Sequence, residues 1–208
     1  MSRLPYIKDD VKYDHVTSVL DYFTDPGLLD WKLKFGKAHC NMVSRNALKF
    51  GSRVDGLVED YFKNGEYQLV KLDGDEVRSA MRAFDKFVLE HNPTFINSQG
   101  MGYDYDLLIA GRYDLLLTIN GKNYIIDVKC ANRVTYKNAL QVAKYLDMAR
   151  DESIGGVGIL RLDKKSSTYD LLLSGTPRWS WDIETCIKAF NGLVHAYHLA
   201  KHGGNDDE

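Results

Sequence analysis

A stripe of apolar residues at helical spacing runs through Val43–Tyr61 and predicts an amphipathic helix. Gly51 lies inside this stripe, where it either interrupts one helix or separates two. In the second case Ser52 is a plausible N-cap, because its hydroxyl can accept a hydrogen bond from a free N–H group of the first turn. The pattern therefore predicts a helix here that is continuous or divided at Gly51.

A second helix is predicted from Asp75, a candidate cap, to about His91. Its apolar residues recur every three or four positions within Val77–Val88. Pro93, which is incompatible with a helix interior, closes it. We therefore predict that residues 1–92 are mostly helical.

From Tyr103 the apolar residues fall into short runs that are typical of strands. Two such runs flank Asn120-Gly121, the strongest short signal for a hairpin, because a type I′ turn needs positive φ at both residues. A helix, two strands, a final helix and a disordered tail are then predicted at Thr135–Arg150, Ile154–Leu162, Thr168–Leu173, Trp181–His202 and 203–208. This order indicates an α/β fold in a single domain, 1–208.

Length and composition predict the number of domains and the cellular compartment of the protein. With 208 residues, 44% hydrophobic and 27% charged, the chain has the balance of one soluble domain with its own core. The N-terminal stretch lacks the apolar run of a signal peptide, and no segment is apolar enough to cross a bilayer, so we expect a cytoplasmic protein without a membrane partner. Three widely spaced cysteines, Cys40, Cys130 and Cys186, argue against a disulfide framework and a cysteine-rich metal site.

The net charge of −2 argues against a protein that coats nucleic acid by charge alone. Basic residues nevertheless concentrate in two places, which predicts two local basic surfaces or, alternatively, two solvated helix faces. The first group contains Lys32, Lys34, Lys37, Arg45, Lys49 and Arg53, and the second contains Arg112, Lys129, Arg133, Lys137 and Lys144.

The predicted hairpin sets two acids against each other. If Asn120-Gly121 forms the turn, counting outward along both strands pairs Asp114 with Asp127 and Arg112 with Lys129. Like charges directly opposite, with Cβ atoms roughly 4.5–5.5 Å apart, destabilise a sheet. A divalent cation between the two carboxylates would turn this repulsion into coordination.

Side-chain alternation places Lys129 on the same face as Asp127, while Val128 points away. Lys129 would then be a fixed positive charge or a proton-transfer group beside the cation. Two alternatives stay open: the face is solvated and its acids are merely polar, or a β-bulge breaks the count.

Two pairs at i, i+4 spacing add candidate groups. Asp55 and Glu59 share a helix face and can bring further carboxylates to the same cation. Alternatively, Ser52–Asp55 forms a capping box and Glu59 is a surface acid. Gln141 and Tyr145, on the helix after the hairpin, present an amide and a phenol on one face.

Taken in chain order, these residues resemble the motifs of the PD-(D/E)XK nuclease superfamily. The pattern of that family is a helix bearing an acid, a GxxD strand, a (D/E)xK strand and a QxxxY helix. In this chain the four motifs read Glu59, Gly111–Asp114, Asp127–Lys129 and Gln141–Tyr145. Each motif is short, but four of them in the right order, separation and element type are a fairly specific signal.

The similarity also covers VTSVLDYF at Val16–Phe23, Trp31 and FGSRVDGLVEDYF at Phe50–Phe62. Within the superfamily it resembles the RecB-like and phage exonuclease branch, which includes the mitochondrial genome maintenance exonuclease. The resemblance implies a restriction-endonuclease-like core, in which a mixed central sheet is flanked by helices, with an N-terminal helical extension.

The resemblance also implies one or two Mg²⁺ or Mn²⁺ ions. Their expected ligands are Asp114, Asp127, the main-chain carbonyl of Val128 and Glu59, with Asp55 as a further candidate. Many relatives carry His at the position of Asp55, so an all-oxygen site is expected here. An iron–sulfur cluster needs four cysteines and a bound nucleotide needs a phosphate loop, so neither cofactor is expected.

The catalytic roles that the resemblance implies fall to Lys129 together with Asp114, Asp127 and Glu59. Lys129 would orient or deprotonate the attacking water and stabilise the pentavalent phosphate. Gln141 and Tyr145 would brace Lys129 or contact the nucleic acid. Other expected substrate contacts are Arg112, Ser52, Lys137 and Tyr136, while Tyr22 and Trp31 are candidate stacking residues or, alternatively, core residues.

We therefore expect a metal-dependent DNA exonuclease that acts on single-stranded ends in DNA recombination, repair or degradation, in a bacterial or phage-infected cell. A recombination or single-strand-binding protein is a candidate partner, and the oligomeric state stays open. The alternatives are a non-catalytic nucleic-acid-binding module on a nuclease fold and an endonuclease of the same superfamily.

Overall fold

The computed structural model describes residues 4–23 and 26–202. Two β-sheets meet in this structure, and helices pack on their faces. The strands are β1 (Tyr6–Lys8), β2 (Val11–His15), β3 (Thr94–Ser98), β4 (Met101–Asp104), β5 (Ile109–Arg112), β6 (Leu115–Ile119), β7 (Lys122–Lys129), β8 (Gly156–Leu162) and β9 (Tyr169–Leu173). The helices are α1 (Val16–Tyr22), α2 (Pro26–Phe35), α3 (Lys37–Asn64), α4 (Asp75–His91), α5 (Tyr136–Ala149) and α6 (Ile183–His202).

The larger sheet has the strand order β3-β6-β7-β8-β9, in which only β7 and β8 are parallel. Its central hairpin turns at Asn120 and Gly121, whose φ angles of 50° and 76° are both positive, as a type I′ turn requires. Ile119 pairs with Lys122 and Leu115 with Ile126. The predicted turn and register are therefore confirmed along the whole of β6.

The larger sheet is covered on both faces, which explains why β7 is apolar on both sides. One core packs the sheet against α1, α5 and α6, with Ile125 and Phe190 fully buried. The other core packs it against α3 and α4, with Leu57, Phe84 and Ile126 fully buried. This mixed sheet between helices confirms the predicted α/β fold class.

The smaller sheet has the order β1-β2-β5-β4 and carries α1 and α5 on one face. The chain crosses from this sheet to the larger one at Tyr113–Asp114. There the Tyr113 N–H donates to the carbonyl of Gly100 over 3.1 Å, and the Gln99 N–H donates to the carbonyl of Asp114 over 3.0 Å. The junction between the sheets thus lies inside the Gly111–Asp114 motif.

Residues 1–92 contain a β-hairpin that the predicted helical extension did not include. β1 and β2 join at Asp9 and Asp10, whose φ angles of 51° and 61° match those of the Asn120-Gly121 turn. Aspartate tolerates positive φ, so Asp9-Asp10 was an available turn signal. The strands are short and rich in charge, and for this reason their alternation was not conspicuous. The prediction that strands begin only at Tyr103 was also wrong, since β3 and β4 begin earlier.

Helix α3 is continuous through Gly51, so one of the two predicted alternatives is wrong. Ser52 lies inside this helix and is not an N-cap, and the capping box at Ser52–Asp55 does not form. The helix ends at Gly65, which has a φ of 81° and donates its N–H to the carbonyl of Tyr61.

The remaining helices agree closely with the prediction. Helix α4 spans Asp75–His91 as predicted, although Gly74 and not Asp75 is its N-cap. Helix α5 is capped by Thr135, and the predicted disordered tail lies outside the described residues. None of the helices described here is long and apolar enough to cross a membrane.

Helix α2 and the first half of α3, Lys37–Phe50, form a helical arm. Almost every side chain in this half of α3 is exposed, and Cys40 is its buried residue. Large apolar side chains are also exposed on the arm, with Leu33 at 77% and Leu48 at 65%. The arm therefore presents both apolar and basic groups to the solvent.

Candidate active site

A cavity of about 350 Å³ opens where the two sheets meet. Eight of the residues predicted for the site line it, namely Asp55, Arg112, Asp114, Asp127, Val128, Lys129, Gln141 and Tyr145. These residues come from α3, from the junction between the sheets, from β7 and from α5. The fold thus brings four separate parts of the chain to one cavity.

Asp114 immediately precedes Leu115, the first residue of β6. The ladder ends at the pair Leu115–Ile126, so the predicted pairing of Asp114 with Asp127 is not part of it. The Oδ2 atom of Asp114 accepts a hydrogen bond of 2.8 Å from the N–H of Val128, which holds the carboxylate against β7.

Arg112, predicted to face Lys129, pairs instead with Met101 in the smaller sheet. That prediction was wrong because the chain bends into a second sheet between Arg112 and Asp114, although Arg112 and Lys129 still line the same cavity.

Asp127 and Lys129 lie on the same face of β7, as their alternation predicted. The Lys129 Nζ atom is 2.6 Å from Asp127 Oδ2, and the two groups form an ion pair. Even so, this buried oxygen has no partner with hydrogen-bond geometry within residues 4–23 and 26–202. Asp127 therefore presents an oxygen with unused acceptor capacity next to the cavity.

Helix α5 braces the carboxylate of Asp127. The Gln141 Nε2 atom donates to Asp127 Oδ1 over 3.1 Å and to the Tyr145 hydroxyl over 2.9 Å. We expected Gln141 and Tyr145 to brace Lys129 or contact the substrate. In the structure, Gln141 instead holds the carboxylate of Asp127. Both α5 residues are buried, so the orientation of the carboxylate is fixed by packing as well as by hydrogen bonds.

Gly111 is required by the position of Tyr145. A Cβ atom at residue 111 would lie 2.6 Å from the Tyr145 ring and 2.9 Å from the Val16 side chain. Because the ring is buried and held by Gln141, it cannot move away cheaply. The glycine of the GxxD motif therefore allows α5 to approach β5 closely.

The carboxylates of the cavity are costly to ionise as they stand. Burial raises the pKa of Asp114 to about 8, with further contributions from the negative charges of Asp127 and Asp55. Burial also raises the pKa of Asp127, against the attraction of Lys129. Burial and the charge of Asp127 raise the pKa of Asp55 to about 6. A cation near these three groups would favour their charged forms.

Burial lowers the pKa of Lys129, but the charges of Asp127 and Asp114 outweigh it and raise the value above its usual range. Lys129 is therefore protonated at neutral pH. The thiol of Cys130, the next residue, has a pKa raised to about 12 by burial, so it is a poor nucleophile.

Glu59 lies one turn after Asp55 but points elsewhere. Its Oε1 atom accepts hydrogen bonds from Lys63 over 2.6 Å and from Ser98 over 3.2 Å. The bond from Lys63 is the largest cause of its lowered pKa, to which the charge of Arg112 also contributes. Of the two acids predicted on α3, the structure thus brings Asp55 into the cavity and leaves Glu59 in a surface ion pair.

The oxygen-rich cavity fits a hard divalent cation. Across the described ranges, no group of three histidine, cysteine or acidic side chains stands close enough to hold a metal by itself. Mg²⁺, however, keeps several water ligands and is usually bound through one or two carboxylates together with substrate phosphates. Asp114 and Asp127 supply two such carboxylates, and the Oδ2 atom of Asp127 keeps acceptor capacity beside its ion pair with Lys129.

The other predicted substrate contacts lie in varied surroundings. Ser52 is exposed on α3, and Tyr136 is 52% exposed at the start of α5. The Lys137 ammonium donates to the carbonyl oxygens of Leu20, over 2.8 Å, and Phe23, so it closes the end of α1.

In each of the two predicted basic groups, at least one residue is not free on the surface. Lys144 is fully buried and bonds to Asp104, Asp147 and Asn191, so its assignment to a surface was wrong. Its burial follows from the packing of α5 against both β4 and α6. In the other group, Arg53 forms a two-pronged pair with Asp73 at 2.8 Å.

Sequence reasoning missed Tyr6, His15 and Gln99, which also line the cavity. The first two come from the hairpin of β1 and β2, and the third from the junction between β3 and β4. The signal that would have found Tyr6 and His15 is the Asp9-Asp10 turn, because it predicts two strands ending at these residues.

The comparisons with known proteins concern the fold. No family model and no curated protein sequence matches the chain. The structure is similar to that of a candidate exonuclease from Eubacterium rectale, with a TM-score of 0.57 and 13% identity over 92% of this chain and 82% of that one. An alkaline exonuclease from Laribacter hongkongensis aligns with 92% of this chain and 93% of its own at 13% identity, with a TM-score of 0.41. The first of these similarities shows that the two chains share a fold.

Proposed function

We propose that the chain is a metal-dependent DNA exonuclease of the PD-(D/E)XK superfamily, in its RecB-like and phage exonuclease branch. The observation that carries this proposal is the pair of Asp127, which is buried, and Asp114, which is partly buried, with Lys129 beside them in a cavity between two sheets. Burying like charges destabilises a fold unless something compensates. A cation and a phosphate that bind there together would compensate for both signs of charge.

Asp114, Asp127 and the carbonyl of Val128 would hold a Mg²⁺ or Mn²⁺ ion, with Asp55 as a further oxygen ligand. Such an ion, when bound, lowers the pKa of the attacking water and neutralises charge on the scissile phosphate. Glu59 is a candidate ligand for a second ion only if it gives up its bonds to Lys63 and Ser98.

Lys129 would stabilise the negative charge of the pentavalent phosphate and orient the attacking water as a hydrogen-bond donor. Its raised pKa keeps it charged and makes it a weak candidate for the base. Asp55, when it is not a ligand of the ion, is an alternative candidate to accept the proton of the water, because it lines the same cavity.

We further propose that single-stranded DNA ends are the substrate, in phage or bacterial DNA recombination, repair or degradation. Tyr6 and His15 line the cavity beside the acids with their ring centroids 4.1 Å apart, and exposed aromatic rings bind the unpaired bases of a single strand by stacking. The shared fold with a protein named as a candidate exonuclease supports the exonuclease part of this proposal. An endonuclease on this fold would use the same chemistry and differ in how DNA reaches the cavity.

The test compares wild type with Lys129→Ala on linear and circular single-stranded DNA, labelled at either end, with Mg²⁺, Mn²⁺ or EDTA. We expect metal-dependent shortening of linear DNA, intact circles and a rate about 10²- to 10³-fold lower in the variant. Lys188→Ala is the matched control, because Lys188 is an exposed lysine in an ion pair with Glu184 on α6.

Each outcome of this test has one meaning. Cleavage of circles would replace the exonuclease with an endonuclease. The absence of metal-dependent cleavage on every substrate would favour a nucleic-acid-binding module. Equal rates for Lys129→Ala and wild type would remove Lys129 from the catalytic site.

A further inference from the structure

The smaller sheet has two faces of different composition. One face packs on α1 and α5, since a Cβ atom at Gly102 would meet Met148 of α5, and one at Gly111 would meet Tyr145. Directly paired residues share a face of the sheet and neighbours along a strand alternate between faces. The register therefore shows which residues lie on the face opposite α1 and α5, here called the outer face. Its aromatic and cationic side chains are Tyr6, Lys8, Tyr13, His15, Tyr103 and Arg112. This outer face joins residues from all four strands.

Tyrosine rings and cations cluster at one end of the outer face. The rings of Tyr103 and Tyr105 stack with an interplanar angle of 19° and centroids 6.2 Å apart, and Tyr13 packs edge-on against both. The Lys8 Nζ atom lies 4.6 Å from the centre of the Tyr103 ring and donates to the Tyr105 hydroxyl over 2.7 Å. The Arg150 guanidinium lies 5.8 Å from the centre of the Tyr105 ring.

Exposure divides the cluster into a base and a contact surface. Tyr13 is 4% exposed and supports the sheet from within, whereas Tyr105, which follows β4, is 47% exposed. Lys8 and Tyr103 are partly exposed. The accessible part of the cluster is thus an aromatic plate flanked by two cations.

The outer face continues into the catalytic cavity. The ring of Tyr6 lies 4.1 Å from that of His15, at an interplanar angle of 32°, and both residues line the cavity together with Arg112. Lys8 follows two positions after Tyr6 along β1, a distance of roughly 7 Å on the same side of the strand. A chain that lies on Tyr105 and Lys8 therefore has an aromatic path to the acids.

We propose that the outer face binds single-stranded nucleic acid and guides it between the Tyr105 plate and the catalytic cavity. This inference rests on the proposed function. Unpaired bases stack on aromatic rings whatever their sequence, and lysine or arginine groups beside the rings bind the phosphates. A duplex keeps its bases stacked on each other and cannot use the plate in this way.

Nearby acids limit the extent of the path. Asp9 and Asp10 form the turn directly after Lys8, and Asp106 follows Tyr105. Their carboxylates repel phosphates, so the bound segment ends before the β1–β2 turn. The path is consequently short, and the cations at its ends are Lys8, Arg150 and Arg112.

The test measures binding of a labelled oligothymidylate by fluorescence anisotropy in EDTA, so that it does not depend on cleavage. We expect the Kd of Lys8→Ala/Tyr105→Ala to rise about tenfold or more. The matched control, Lys188→Ala/Leu199→Ala, removes one cation and one large exposed side chain from α6 and should leave the Kd unchanged. An unchanged Kd in the first variant, at an unchanged melting temperature, would overturn the proposal.

Lys8→Gln guards against misfolding of the double variant, because it leaves the aromatic cluster in place. It should weaken binding severalfold and reduce the slope of log Kd against log salt by about 0.7. An unchanged slope would overturn the role of Lys8. An equal loss of affinity for duplex DNA in both variants would show a general phosphate-binding surface and would also overturn the proposal. If binding behaves as expected but no DNA is cleaved, the proposed function fails and the path stands.

Discussion

The candidate active-site cavity and the helical arm use charge in opposite ways. In the cavity, the N–H of Val128 holds Asp114, Gln141 and Lys129 hold Asp127, and burial raises the pKa of both acids. On the arm, basic residues such as Arg45 and Lys49 are exposed on a helix with little packed around it. The difference indicates that the cavity is built before substrate arrives, at a cost in stability, whereas the arm contributes charge at almost no cost.

A pair of glycine substitutions should distinguish the closely packed cavity from the loosely packed part of α3 most clearly. Gly111→Ala forces a Cβ atom to within 2.6 Å of the Tyr145 ring, whereas a Cβ atom at Gly51, directly after the arm in α3, would meet nothing within 4 Å. We expect Gly111→Ala to lose about 1–3 kcal/mol of unfolding free energy and to slow cleavage about 10- to 100-fold, through Tyr145, Gln141 and Asp127. Gly51→Ala should gain about 0.5–1 kcal/mol and cleave normally.

Denaturant unfolding and initial cleavage rates measure both effects. If Gly111→Ala were as stable and active as wild type, the close packing of α5 against β5 would not matter to the site. A loss of stability in Gly51→Ala would show that α3 packs against something at this position.

The pH dependence of stability in EDTA should show the cost of burying the acids in the cavity. The folded-state pKa of Asp114 is raised from 3.8 to about 8, so between these values the folded chain binds more protons at this group than the unfolded chain. Stability from this group is therefore lost as pH rises from about 4 to about 8. Asp114→Asn removes the titration, and its melting temperature relative to wild type should rise by several degrees across this range.

Thermal melting of both proteins at a series of pH values provides the measurement. Parallel curves for wild type and Asp114→Asn would contradict the raised pKa. Added Mg²⁺ should flatten the difference, because a cation favours the ionised form of Asp114.

The smallest effect is expected from the arm. Arg45→Ala/Lys49→Ala should leave the melting temperature unchanged, since both side chains are exposed. If the arm contacts phosphates, this variant should reduce the slope of log Kd against log salt for single-stranded DNA by about 0.7 per residue. Salt titrations of oligothymidylate binding, with Lys188→Ala as control, measure it, and an unchanged slope would remove these two residues from the binding surface.

The sequence was most informative where local rules act. The Asn120-Gly121 turn fixed the register of β6 and β7, because two positive φ angles admit few residues, and alternation then put Asp127 and Lys129 on one face. The strand partner of Arg112 could not be predicted from such local rules. Whether a strand continues past Asp114 or bends into a second sheet depends on partners from β3 and β4, which no local pattern encodes.

The α3 acids show the same limit at the level of side chains. Spacing put Asp55 and Glu59 on one helix face, and both lie near the sheet junction. Which of them reaches the cavity depends on Lys63, one turn further, and on Ser98 from another element, and these two residues hold Glu59. Local spacing thus gives a set of candidates, and tertiary contacts select among them.

The sheet junction inside Gly111–Asp114 also bears on the order in which the site is completed during folding. The bonds from Val128 to Asp114 and from Gln141 to Asp127 each span 14 positions, so the acids can meet through local collapse of the hairpin and α5. The part of the cavity lined by Val16 and Gly111 forms only when these two residues, which are far apart along the chain, come together. Closing such a long loop is slow. During synthesis on the ribosome, Val16 is added early and Gln141 much later. The bond from Gln141 that holds Asp127 therefore cannot form until most of this sequence has been synthesised.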